Sequence, residues 1–436
     1  MLISLGINNG QVSSAEASGT GLAPSKNLFT EAQSAFETSN HIDFRSNWAI
    51  SDGRLTCLEL SANEARLSLD EPLVSGTPYM AVYDLSLTAG SLKLQLSGDG
   101  LLNARAVTAD WQGFQHYPSS EVAGNYPRVH ANPSGTFSGS IDNVAVYDLS
   151  EFDPHVVACD VVIIGGDSNS TNTTSEFVDG MNRETAFDPR LWYMPCLRAS
   201  PTYANVGCER HVPFPMIEPV VGAGSGRRMS PVHAAASRLV SYSAARNRPL
   251  LVMALGDAGS GLMTTEDWRH PDRRVGSGPT VGRMWGEMVA MKLAKDALGP
   301  AHEVIGAVWS LGQNDGFDAA SAEAYDFNIT PEYAAFFEDV RDLFGSIPMV
   351  MTNIAPHFAA YADANLGLGF GSHRQTWINR FDQDSGHANA ISNFKVVQPV
   401  ESHPVNPSDL SDPHYSAAGM QANGRHMGDA LRGMLG

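Results

Sequence analysis

Five short, unbroken aliphatic runs mark the chain from residue 160 onward, at 161–165, 250–255, 304–309, 348–352 and 394–397. Runs this short, rich in Val and Ile and without polar alternation, suit strands buried on both faces of a parallel sheet. The stretches between them carry helix-start signals. Ser230 precedes Pro231 and Thr330 precedes Pro331, each an N-cap residue ahead of a proline whose missing N–H is harmless at the first helical position. A final helix is expected over 416–435. Strands alternating with helices predict an α/β domain with a doubly wound parallel sheet over 158–436.

The first 150 or so residues have a different texture. Tyr79, Ala81, Tyr83, Leu85 and Leu87 share one parity, Leu92, Leu94 and Leu96 alternate with Lys93 and Gln95, and Ile141, Val144 and Val146 form a third run. Period-two alternation of this kind marks strands. Turns are expected at Ala89–Gly90 and over 97–100. A β-sandwich over 26–153 follows, ending near 150–154, with the role of residues 1–25 left open.

A length of 436 residues, with 43% apolar and 17% charged side chains, accommodates two such domains with cores of their own. The formal charge of -19 and the lack of Lys/Arg clusters exclude a phosphate-backbone ligand, so nucleic acid is not an expected partner. No apolar stretch is long enough to cross a membrane, and the opening residues show neither a charged n-region nor an apolar h-region. Synthesis in the cytoplasm without a signal peptide is therefore expected. Cys57, Cys159, Cys196 and Cys208 form no disulfide framework. Cys196 and Cys208 flank a proline-containing loop and could pair, with buried free thiols as the alternative.

Three motifs carry chemistry. Gly165-Gly166-Asp167-Ser168-Asn169 ends the first aliphatic run. Glycines there would let the backbone turn and raise a serine hydroxyl over the carboxyl edge of the sheet, where open α/β sheets bind ligands. Gly312-Gln313-Asn314-Asp315 follows the third run. Asn314 could donate its amide to an oxyanion or, alternatively, close an Asx turn on its own backbone. Ser411-Asp412-Pro413-His414 precedes the last helix. A histidine there could reach Ser168 as general base with a nearby carboxylate fixing its tautomer; alone, it reads equally as a surface or capping residue. The three together, in this order, point to nucleophilic acyl transfer.

These motifs resemble blocks I, III and V of the SGNH (GDSL-like) hydrolases. Gly166-Asp167-Ser168-Asn169 is similar to the Gly-Gln-Ser-Asn motif of the carbohydrate acetylesterase branch, which contains sialate O-acetylesterases and acetylxylan esterases, with Asp167 in place of Gln. The segment 309–315 looks like that branch's Trp-Tyr-Gln-Gly-Glu-x-Asp. Further similarity runs through Asp188-Pro189-Arg190-Leu191-Trp192, Glu218-Pro219, and 253–262 followed by Trp268. The resemblance implies a flavodoxin-like fold. It also implies Ser168 as nucleophile, His414 as base and Asp412 as its orienting acid, with an oxyanion hole made by Ser168, Gly259 and Asn314 and no metal or cofactor. The family usually places its acid three residues before the histidine, a slot held here by Ser411. Asp409, a backbone carbonyl or a Ser-His dyad are thus alternatives to Asp412.

The β-rich part, with Gly76-Thr77-Pro78-Tyr79 and the segment 135–144, looks like carbohydrate-binding jelly-roll modules, which also occur in phage-type tail proteins. Trp111, Phe114 and Tyr117 would then be either a sugar-stacking surface or core. The implied activity is a serine esterase removing acetyl groups from a saccharide. A non-catalytic glycan-binding or particle-surface protein (tail fibre or spike) is the first alternative and a lipase or thioesterase the second. Acetylated oligo- or polysaccharide is the expected partner. A homo-oligomer, or assembly into a virion-like particle that acts outside the cell, is compatible with the absent signal.

Overall fold

The computed structural model describes residues 21–23, 27–44, 47–61, 64–96, 111–118, 122, 126–167, 187–196, 210–216, 231–257, 259–263, 265–274, 276–312, 315, 330–365, 370–399, 409–411 and 414–436. A short helix α1 (Glu31–Ser34) precedes seven strands: β1 (Ile42–Phe44), β2 (Trp48–Ser51), β3 (Arg54–Ser61), β4 (Ala65–Leu73), β5 (Tyr79–Leu96), β6 (Trp111–Tyr117) and β7 (Tyr126–Asp148). They form one connected antiparallel network in which β7 pairs with β3, β4 and β5. The turn expected at Ala89–Gly90 is absent. β5 continues through it, with register shifts on either side, because a glycine that signals a turn equally marks a bulge in a long strand.

Side chains alternate across a strand, so each face has its own partner. Tyr79, Ala81, Tyr83, Val144 and Val146 enter the β-domain's own core with Leu55, Leu67 and Val129. The opposite parity is apolar as well. Met80, Val82 and Ala145 join Cys159, Phe187, Trp192 and Phe214 in the core of the following domain, so the two parts share a packed interior. Full burial of such side chains contributes about 1.5–3 kcal/mol each. Tyr117 is buried and donates its hydroxyl to the Leu94 carbonyl at 2.9 Å, which makes it core rather than sugar platform. The side chains of Trp111 and Phe114 lie outside the described residues.

The second sheet holds β8 (Asp160–Gly166), β9 (Leu191–Pro195), β10 (Phe214–Pro215), β11 (Leu250–Gly256), β12 (Glu303–Ser310), β13 (Met349–Thr352) and β14 (Phe394–Val397), in the order β10-β9-β11-β8-β12-β13-β14. Every pairing is parallel except β9 with β10. Helices α2 (Pro231–Ser237), α3 (Val240–Ala245), α4 (Arg283–Leu298), α5 (Thr330–Phe344), α6 (Pro356–Asn365), α7 (Phe370–Asn379) and α8 (Ala417–Leu435) accompany it. Val162 and Ile164 pack with Val232 and Ala235 of α2 and with Met427 and Leu431 of α8. Val161 and Ile163, on the other face, pack with Met284 and Met288 of α4 and with Phe336 and Phe337 of α5.

Two features aim this sheet. At its amino edge the buried Asp160 carboxylate meets Arg248 Nε at 2.7 Å and Arg246 Nη1 at 3.3 Å, and Arg248 also donates to the Cys159 carbonyl at 2.6 Å, closing that edge with polar pairs. At the other edge β8 lies between β11 and β12; β12, β13 and β14 step outward on one side in chain order, while on the other side the chain reaches β9 and β10 before returning to β11 beside β8. Cys196 is a free buried thiol, so the pairing with Cys208 does not form; Cys208 itself lies outside the described residues. The segment 21–23 docks on this domain, with the Leu22 amide donating to the Ala244 carbonyl at 2.8 Å.

Candidate active site

The parallel register brings three strand ends into one row: Gly166 pairs with Gly256 on one side and with Ser310 on the other. Two glycines make this row possible. A Cβ on Gly165 would stand 2.5 Å from Cζ3 of Trp309, and one on Gly166, at φ +143°, would stand 1.9 Å from the Ser310 carbonyl oxygen. Neither contact is tolerable for a side-chain carbon, so close packing of β12 on β8 demands Gly-Gly here as much as any turn does. Past the row, the Asp167 amide donates to the Ser310 carbonyl at 2.7 Å and the Asp257 amide to the Gly166 carbonyl at 3.2 Å, tying the loops that leave β8 and β11 to their neighbours.

Ser168 is next in the chain after Asp167; it lies outside the described residues, as do Asn314 and Asp412. Gly259 and His414 are described. Gly259 occupies the third position of a turn closed by the Ser260 amide on the Asp257 carbonyl at 3.2 Å, and its φ of +75° is one that a residue with a side chain resists. The turn leads into a braced loop. Ser260 Oγ accepts from the buried Trp268 indole at 3.0 Å, Gly261 N–H donates to Thr265 Oγ1 at 2.8 Å, and Thr265 Oγ1 bonds Asp267 at 2.8 Å. Arg283 pairs with Asp257 and lies 3.7 Å from Asp267. Burial holds the Asp267 carboxyl above its ordinary range, against the opposing pull of Thr265 and Arg283.

His414 is half-buried and immediately precedes Tyr415, which is 1% exposed. The Tyr415 ring meets His357 edge-on at 5.8 Å and packs with Phe358 and Met420. Burial pushes its phenol well above the ordinary tyrosine value, Asn423 opposes the shift through a hydrogen bond, and the Asp167 carboxylate adds to it. Helix α8 follows at once, capped by Ser416 Oγ accepting from the Gly419 amide at 3.3 Å. It packs close to α2, where a Cβ on Gly424 would be 2.4 Å from the Pro231 carbonyl oxygen. Asp409, the alternative acid, is exposed and engaged by Ser411, whose amide donates to it at 3.1 Å.

One residue quoted in the third-run motif was given no role of its own. Asp315 is wholly buried; its Oδ2 accepts from the Leu262 amide at 2.8 Å and from the Tyr333 hydroxyl, and its Oδ1 from the Met263 amide at 2.9 Å. Its place beside Asn314, at the end of the 309–315 segment, was the local signal. Among the described residues no group of three or more His, Cys, Asp or Glu side chains stands where it could hold a metal, and no helix is long and apolar enough to cross a membrane. A cavity of about 340 Å³ lies elsewhere, lined by Asn27, Phe29, Asp70, Asp148 and Glu151 among others, and shares no residue with the strand ends.

No family model matches the chain, and neither does any curated protein. Solved structures do resemble it. An Arabidopsis thaliana protein aligns at TM-score 0.45 and 13% identity over 64% of this chain and 99% of its own. NanS aligns at 0.45 and 15% over 63% and 97%. XAC1771, described as a novel carbohydrate acetylesterase from Xanthomonas citri, aligns at 0.36 and 14% over 81% and 69%. At these scores and identities no residue role passes from those proteins to this chain.

Proposed function

We propose that the chain is a serine esterase of SGNH type that removes acetyl groups from a saccharide, with Ser168 as nucleophile, His414 as general base and Asp412 as the acid that orients it. One observation supports this above the rest: β8 ends at Gly166, two residues before Ser168, and Tyr415, the chain neighbour of His414, packs with Ala355 and Phe358 just past the same end of the parallel strand β13. The Gly166–Gly256–Ser310 row adds to it, since the loops bearing Ser168, Gly259 and Asn314 all leave the sheet from that row.

In the proposed reaction His414 takes the Ser168 proton as Oγ attacks the acetyl carbonyl. The resulting oxyanion is received by the backbone N–H groups of Ser168 and Gly259 and by the Asn314 carboxamide. Collapse breaks the ester bond, and the sugar oxygen leaves with the proton held by His414. Water, deprotonated by the same imidazole, then releases acetate and restores the serine. The N-terminal domain, in this reading a jelly-roll module, is the accessory part.

Acetate release from an acetylated polysaccharide, measured for the wild type and for Ser168→Ala, tests the proposal. Release should vanish in the variant. Undiminished release would overturn the assignment. Glycan binding by a wild type that releases no acetate would favour the non-catalytic alternative, and faster turnover of long acyl chains would favour a lipase or thioesterase.

A further inference from the structure

Gly259 and Asn314 belong to loops that leave different strands, so an oxyanion hole built from both needs their separation to be fixed. The bonds from Ser260 to Asp257 and from Thr265 to Gly261 are internal to the first loop and cannot set its distance from β12. Asp315 can, since it follows Asn314 directly in the chain and its buried carboxylate grips two successive amides of the Gly259 loop, at Leu262 and Met263. Tyr333, on α5, bonds the same carboxylate and so holds the clamp against the helix layer. Charge-assisted bonds of this kind are shorter and stronger than neutral ones.

We infer that Asp315 is a positioning residue that sets the spacing between the Gly259 N–H and the Asn314 carboxamide, by fastening the loop of one to the chain of the other; this rests on the esterase reading above. Asp315→Asn keeps the size but turns one accepting oxygen into an NH2 group that faces an N–H donor. One bond to the Gly259 loop is lost and donor opposes donor. Displacements of an ångström at such a site slow chemistry without weakening the hold on the substrate.

The test compares wild type, Asp315→Asn and Tyr333→Phe on a small acetyl ester, with Ser168→Ala as control. Asp315→Asn should lower kcat roughly ten- to hundredfold while KM stays within about twofold. Affinity for an alkylboronic acid, whose tetrahedral serine adduct mimics the oxyanion, should fall by a similar factor. Tyr333→Phe should shift both in the same direction by less. Unchanged kcat and boronate affinity in folded Asp315→Asn would overturn the inference, as would equal losses in kcat and substrate binding. Should Asp315→Asn fail to fold, Tyr333→Phe decides by the same readouts. Full activity in Ser168→Ala would instead sink the esterase reading itself, whatever Asp315 does.

Discussion

Acid should loosen the junction between the two domains through His116. This residue lies on β6 opposite Met80 and points across the junction, meeting Trp192 edge-on at 6.0 Å and Phe214 at 5.2 Å. Burial pushes its imidazole down from the ordinary 6.5 to about 4; the Asp153 carboxylate opposes that shift and His155 adds to it. Between those two values the unfolded chain binds a proton that the folded chain refuses, so stability falls as pH drops from 6.5 toward 4 and the loss then levels off. Linkage gives a penalty of about 2 kcal/mol near pH 5 and about 3 kcal/mol once pH is below 4, with almost none at neutral pH. His116→Phe keeps the edge-on ring packing and removes the titration. Urea unfolding of both proteins at about pH 7 and about pH 5 measures the difference: the wild type should lose about 2 kcal/mol more than the variant over that interval. Parallel losses would refute the reasoning, because they would mean that His116 is no less protonated in the folded protein than in the unfolded chain.

Gly165→Ala would drive a methyl to within 2.5 Å of the Trp309 ring and should destabilise the fold by roughly 1–3 kcal/mol or more, read as a lowered thermal midpoint; an unchanged midpoint would mean that β12 can yield. Burial pushes the Cys159 and Cys196 thiols far above the ordinary cysteine value, so both should resist iodoacetamide in the native protein and react once it is unfolded. Mass spectrometry of the labelled peptides checks this. Asn314→Ala should lower turnover of an acetyl ester roughly a hundred- to thousandfold, measured as kcat, while an Asx-turn role alone would leave kcat nearly intact.

Much of the α/β domain was legible because its strands are continuous aliphatic runs: 161–165, 250–255, 304–309 and 394–397 all fall within β8, β11, β12 and β14. β9 was not, since Leu-Trp-Tyr-Met-Pro is short, mixed and ends in proline; it becomes a strand by pairing with β11, Leu191 against Leu250 and Trp192 against Leu251. Parity in the β-domain gave one face of β5 correctly and was silent on the other. Met80 and Val82 are apolar because they meet a second domain, a circumstance that period-two alternation cannot encode. Asp315 illustrates the same limit at the site: its partners Leu262, Met263 and Tyr333 are far from it in sequence, and a lone aspartate after an asparagine carries no local mark of burial. Gly165 and Gly166 were expected for a sharp turn, and the closeness of Trp309 and Ser310 supplies a further reason for them.

Reaction of the native protein with a fluorophosphonate probe, followed by peptide mass spectrometry, asks most directly whether Ser168 is an activated nucleophile. A single adduct on Ser168, abolished by prior unfolding and strongly reduced in His414→Ala, is the expected result. No adduct, an adduct on another serine, or labelling that ignores the loss of His414 would contradict the account.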